Sequence, residues 1–242
     1  MPPFNFMHYD PTFAARGRVA AETNPQGSRR LTTQTPHSRP PIYDAFAPHY
    51  ERALRPLERL ILARLRAATL RALDEGGHSG GGGGLRLLEI GAGTGLNFPH
   101  YPAGAHGAAT EPSREMLRLA HAKPRPPGVR LVQTSAEALP FADGIFDAAF
   151  ATLVFCSVAS PPRAFEELRR VVRAGGRIVL LEHVRPPGLL GPVFDAISYC
   201  TVRLFDDHFN RRTAEAARRA GLRIVRIEPH ALGIIQLIVC EV

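Results

Sequence analysis

Residues 87–95 read Leu-Leu-Glu-Ile-Gly-Ala-Gly-Thr-Gly, a short apolar run that stops on three glycines spaced two apart. A strand that ends this way turns tightly, because glycine alone enters left-handed backbone conformations without steric cost. The same glycines let backbone N–H groups approach a ligand closely and open a helix whose N-terminus favours acidic groups. The dinucleotide-binding fingerprint is G-x-G-x-x-G; here the third glycine arrives one residue early and Leu96 holds its place. The run therefore points to a nucleotide-like ligand and argues against a nicotinamide dinucleotide. Taken alone it also serves as a plain strand-to-helix turn.

After the glycines, short apolar runs alternate steadily with helical patterns, which predicts an α/β fold with a parallel sheet and crossover helices. Strands are expected at Arg86–Ile90, Gly107–Thr110, Val129–Gln133, Phe146–Thr152 and Arg177–Glu182. Helices are expected directly after the glycines, from Ser113 as N-cap to Ala122, and from Pro161 to about Val172, stopping at Gly175 and Gly176. Leu189–Leu204 and Arg211–Ala220 also read as helical. Two last apolar runs, Leu222–Glu228 and Ile234–Val242, leave no room for a helix between them, so they are expected to pair antiparallel as a closing hairpin.

Ahead of the glycine run, residues 50–73 place Leu54, Leu57, Ile61, Leu65, Ala68 and Ala72 at three-and-four spacing, the mark of an amphipathic helix, with Arg52, Arg55, Arg59 and Arg66 off that stripe. Such a helix either packs on a sheet or lies on a membrane. Residues 76–84 are nearly all glycine and read as a flexible linker, and residues 1–42, rich in proline and arginine, as a disordered leader before a domain spanning 43–242. With 242 residues, one sizeable core is the expectation.

The net charge of +8 comes almost wholly from arginine, without the stacking aromatics of a nucleic-acid groove, so no nucleic-acid partner is expected. Cys156, Cys200 and Cys240 are too scattered for a disulfide framework or a metal site. Residues 189–205 are the most apolar stretch but carry Asp195 and Arg203, so a spanning helix is not expected. The expected setting is cytoplasmic, with peripheral membrane contact or organellar targeting by the leader as alternatives, and a monomer is favoured.

About twenty residues past the glycines stands Glu111, followed by Pro112, where a carboxylate accepts hydrogen bonds from both ribose hydroxyls. Several ordered blocks are together similar to the class I S-adenosylmethionine-dependent methyltransferases. They are Glu89–Gly95, Glu-Pro-Ser-Arg-Glu-Met-Leu at 111–117, Ser-Ala-Glu-Ala-Leu-Pro-Phe at 135–141, Phe-Asp at 146–147 and Leu-Arg-Arg-Val-Val-Arg-Ala-Gly-Gly at 168–176. The resemblance implies a Rossmann-like, doubly wound, seven-stranded sheet with helices on both faces and the last strand antiparallel. It implies S-adenosylmethionine as cofactor and S-adenosylhomocysteine as product. By position, Glu89, Gly91, Ala92 and Gly93 would surround the methionine end, Glu111 and Pro112 the ribose, Met116 the adenine face, Ser135, Ala136 and Glu137 the adenine edge, and Thr152 and Leu153 the methyl group.

Within that class, residues 152–158, 180–184 and 207–213 resemble a narrower group of thiol methyltransferases and bacterial lipid or quinone methyltransferases. Many members have Gly-Cys where this chain has Asp206 and Asp207, so no role of that cysteine carries over. Glu182 and His183, at the end of the fifth strand, and His208 are the candidate proton acceptors. The acceptor pocket is expected between the 43–73 helix and residues 186–213, where Phe194, Tyr199, Leu204 and Phe205 imply a small-molecule or lipid-like, apolar acceptor. Cys156 reads as a buried small hydrophobe. Two rivals remain: a nicotinamide-dependent oxidoreductase, and a non-catalytic protein that keeps the fold.

Overall fold

The computed structural model describes residues 43–75, 84–186, 188, 190–205, 208 and 210–242. The expected leader at 1–42, all of the glycine linker but Gly84, and Asp206 and Asp207 lie outside the described residues, as do the side chains of Leu204 and Phe205.

Seven strands form one sheet in the order β3-β2-β1-β4-β5-β7-β6. They are β1 (Arg86–Ile90), β2 (His106–Thr110), β3 (Val129–Val132), β4 (Phe146–Thr152), β5 (Val172–His183), β6 (Arg223–His230) and β7 (Ile235–Glu241). The first five run parallel, and β7 inserts antiparallel between β5 and β6. The expected doubly wound sheet and its closing hairpin are therefore both present. The hairpin closes through a 3-10 turn at Ala231–Gly233.

Strand alternation splits the core into two layers, because successive side chains point to opposite faces. Leu88, Ile90, Ala149, Ala151, Ile178, Leu180 and Ile238 pack with Phe165, Leu168 and Val171 of helix α4 (Pro161–Val171). On the other face Leu87, Ala148, Phe150, Val179, Leu181 and Leu237 pack with Leu62, Leu65, Leu70 and Leu73 of the N-terminal helix. The side chains of β4 are nearly all buried, as a central strand covered on both faces requires.

Three expectations are corrected. No α-helix follows the glycines: turns at 93–97 lead into a 3-10 helix at Phe98–His100, and Tyr101 is already extended. Pro99 removes a backbone donor and Pro102 pushes the residue before it, Tyr101, out of the helical region, which together end the helix after one short turn. Strand β5 begins at Val172 rather than Arg177. It passes Gly175, at φ +70°, in a bulge opposite Phe146 and Ala148, so the two glycines interrupt a strand instead of separating it from a helix.

The third correction concerns the N-terminal helix, which starts at Tyr43 and is not uniform. Helix α1 (Tyr43–Leu57) passes through a π segment (Glu58–Leu62) into α2 (Ala63–Asp74). A wider turn shifts the register, so the expected stripe fails at Leu57, which is exposed, while Leu62 is fully buried. Arg66, expected off the buried stripe, is only 4% exposed.

Asp147 joins the start of β1 to the β5 bulge, accepting from Arg86 N (3.0 Å), Arg86 Nη2 (2.8 Å) and Arg173 Nε (3.0 Å). The Arg86 guanidinium holds its carboxyl well below the usual carboxylate range. A depressed native pKa gives stability that is present above the unfolded pKa and lost as pH falls toward the folded one. Asp147→Asn is expected to cost about 1–2 kcal/mol at neutral pH, since Arg86 is partly solvated. In urea unfolding the gap to the native chain should narrow below about pH 4; a gap that stays constant with pH would contradict this role.

Candidate functional site

The carboxyl ends of β1, β2 and β4 meet around the glycine turn. Gly91 (φ +66°) lies so close to Val154 that an added Cβ would sit 2.5 Å from its methyl carbon. At Gly93 (φ +55°) an added Cβ would meet nothing within 4 Å, so this side of the turn is open. The Ala92 N–H is used internally, donating to Thr110 O at 2.8 Å.

Glu111 directly follows β2 and faces that turn. Its Oε2 accepts from Gly93 N at 3.0 Å and its Oε1 from Ser113 N at 2.9 Å. Burial raises its carboxyl above the usual range, against the pull of those two backbone donors. Each oxygen keeps a further lone pair for a hydroxyl donor. Pro112 leads into Ser113, whose Oγ accepts from Met116 N at 3.2 Å and caps helix α3 (Arg114–His121), in which Met116 is buried.

Below the turn lies a buried polar cluster that the sequence showed only in part. Glu89 is fully buried and accepts from Asn97 Nδ2 at 2.5 Å and from the Tyr101 hydroxyl. Burial pushes its carboxyl up to about 7, even though Tyr101 and Asn97 favour the ionised form. Asn97 Nδ2 also donates to Thr152 Oγ1 at 2.9 Å. Arg66 completes the cluster, its Nη1 donating to Thr152 Oγ1 at 2.6 Å and to Asn97 Oδ1 at 3.1 Å, while its Nε pairs with Glu58 Oε1 at 2.9 Å. An acid and a guanidinium thus stand on either side of Asn97 and Thr152.

Helix α1 covers the site. Asp44 accepts from Ser113 Oγ, and Glu51 Oε1 pairs with Lys123 Nζ at 2.5 Å beside Thr94. Between these anchors, burial pushes the Tyr50 hydroxyl up to about 12, against the pull of the Arg66 guanidinium. It stays protonated at neutral pH.

The other expected residues are spread around this centre. Leu153 takes φ +58°, unusual for a branched residue, and its N–H donates to Leu181 O at 2.7 Å. Ala136 is buried, Ser135 half-buried, and Glu137 Oε1 accepts from Ser160 N at 3.1 Å, tying the loop after β3 to the start of α4. Glu182 is fully buried and accepts from Val154 N and Phe155 N at 3.0 and 3.1 Å, so its carboxylate holds the loop after β4. His183, next to it on β5, is half-buried and pairs in register with Ile235. His208 is half-buried and its backbone N–H donates to Cys156 O at 3.0 Å. In α5 (Leu190–Phe205) Phe194 is half-buried and Tyr199 exposed. Among the described residues no group of His, Cys, Asp and Glu is placed to hold a metal.

Sequence reasoning missed Arg66, Asn97 and Tyr101. A helical period continued through the π segment turns Arg66 outward, so no signal marked it. A polar Asn97 between apolar neighbours, just after the glycines, was the available cue for the second.

Comparison with known proteins agrees with this geometry. A methyltransferase domain family model matches residues 88–180. Human thiol S-methyltransferase TMT1B is 37% identical over 116 residues, 46% of this chain and 48% of that protein. A phosphatidylethanolamine N-methyltransferase of Cereibacter sphaeroides is 36% identical over 120 residues, 48% of this chain and 59% of that protein. The chain thus spans about half the length of the curated relatives it matches. A solved S-adenosylmethionine-dependent methyltransferase from Mesorhizobium loti superposes with a TM-score of 0.56 at 18% identity, over 72% of this chain and 96% of that one, which speaks to the fold. Sheet order, glycine turn and the match over residues 88–180 together make the chain similar to the class I S-adenosylmethionine-dependent methyltransferases.

Proposed function

We propose that the protein transfers the methyl group of S-adenosylmethionine to a small, apolar acceptor whose reacting atom belongs to a thiol, a phenol or quinol, or a lipid head group. The observation that carries this reading is the open face of Gly93 between two acids and a buried guanidinium. An α-amino acid zwitterion asks for one anion and one cation, and Glu89 and Arg66 are of those types. A ribose asks for an acceptor facing two hydroxyls, and Glu111 supplies it. The residues present fit the cofactor.

When bound, the cofactor supplies a sulfonium methyl whose leaving group is a neutral thioether, so no general acid is required. The chain's own work is positioning and exclusion of water. Glu89 would take the methionine ammonium and Arg66 its carboxylate, with Gly91, Ala92 and Gly93 as the backbone cradle. Glu111 and Pro112 would hold the ribose, Met116 the adenine face, and Ser135, Ala136 and Glu137 its edge. Thr152 and Leu153 would border the methyl group, with Tyr50 closing the site from above. Glu182 already accepts from two backbone N–H groups, so its main contribution is the shape of the loop after β4. His183 and His208 are the candidates to take a proton from an acceptor that arrives protonated.

The relatives that act on a thiol and on phosphatidylethanolamine support the acceptor class. Incubation with methyl-labelled S-adenosylmethionine and a panel of alkyl thiols, phenols, quinols and phosphatidylethanolamine should label at least one of them. Turnover on none would reject the acceptor class.

The two halves of the cofactor separate the roles. Glu111→Ala should weaken both S-adenosylhomocysteine and 5′-methylthioadenosine by about 1–3 kcal/mol, the scale for a hydrogen bond to a charged group. Arg66→Ala should weaken S-adenosylhomocysteine by a similar amount yet leave 5′-methylthioadenosine, which lacks the amino acid, unchanged. Equal losses for both ligands in Arg66→Ala would mean that Arg66 acts only on the fold of the site.

A further inference from the structure

We infer that the outer face of the N-terminal helix, from Arg52 to Arg64, is a docking surface for an anionic phospholipid bilayer. The inner face of this helix is spent on the core and the site through Leu62, Leu65 and Arg66. Outward, Arg52, Arg55 and Arg59 form one exposed row at three-and-four spacing, and Leu57, Leu60 and Arg64 form the adjacent one. Leu60 is 73% exposed and Leu57 42%, two of the few large apolar side chains that face outward among the described residues. Leu57 stands just before the π segment and Leu60 within it.

The charge on this face is one-sided. Glu58, the acid within it, is half-buried and pairs inward with Arg66. Guanidinium groups beside protruding leucines match a bilayer surface, where phosphates take the charge and the acyl boundary takes the apolar side chains. A nucleic-acid groove would instead offer aromatic side chains for stacking, and none lies between Arg52 and Arg64. The helix also covers the carboxyl ends of the strands through Asp44 and Glu51, so docking would set the site against the bilayer.

The test is co-sedimentation of the full chain with vesicles of phosphatidylcholine alone or with roughly a third phosphatidylglycerol, at low and high salt. Binding is expected only with phosphatidylglycerol and should weaken with salt. The triple variant Arg52→Gln, Arg55→Gln, Arg59→Gln should bind more than tenfold more weakly. Leu57→Ser with Leu60→Ser should also weaken binding, and at high salt as well. S-adenosylhomocysteine affinity, unchanged in both variants, is the control for folding. No vesicle binding, equal binding to neutral vesicles, or binding that both variants retain would overturn the inference. So would a preference for RNA or for an acidic protein that competes the vesicles away.

Discussion

The structure depends on the position of β1 between β2 and β4. The strand is hydrogen-bonded on both sides, with Glu89 paired to Ala109 on one and Phe150 on the other. From β1 the chain passes outward to β2 and β3, and later returns to β4 and β5 on the opposite side. At such a reversal the connecting segments diverge and leave a crevice at the carboxyl ends of the strands, the place where open parallel sheets bind ligands. The glycine turn, Glu111, Thr152 and Leu153 are brought together by that geometry, although they come from separate parts of the chain.

The crevice is completed by the N-terminal helix. A buried guanidinium is costly unless paired and hydrogen-bonded, and Arg66 meets that demand through Glu58, Asn97 and Thr152. The same bonds join the helix to the end of β4 and, through Asn97, to Glu89. The π segment brings this about by slipping the helix register just before Arg66. Such irregular turns are frequent at functional sites. Here the slip buries a cation in the site, while Leu57, just before the segment, and Leu60, within it, face outward.

Legibility in the sequence followed the kind of information each element needs. Strand alternation and glycine punctuation are local, so the sheet, most of its strands and the closing hairpin were readable, as were the glycine turn and the position of Glu111 just after β2. The missing helix after the glycines was also locally encoded, in Pro99 and Pro102, but the expectation that a glycine run opens a helix argued the other way. The early start of β5 depends on a bulge facing Phe146 and Ala148, which only tertiary pairing reveals. Arg66 was hidden because a periodicity argument assumes a constant period. Glu182 was correctly placed at a strand end, but its hydrogen bonds to Val154 and Phe155 depend on a loop path that spacing does not encode.

The fold is shared by proteins whose chemistry differs in detail, and it is the side chains in the crevice that select the ligand. The central claim is that this crevice is built for the nucleoside of a methyl donor and not for a nicotinamide dinucleotide. Calorimetric titration of the full chain tests it most directly, with S-adenosylhomocysteine in one cell and NADH in another. The account predicts saturable, single-site binding of S-adenosylhomocysteine and no heat of binding from NADH. Saturable NADH binding, or no binding of S-adenosylhomocysteine by a folded chain, would contradict it.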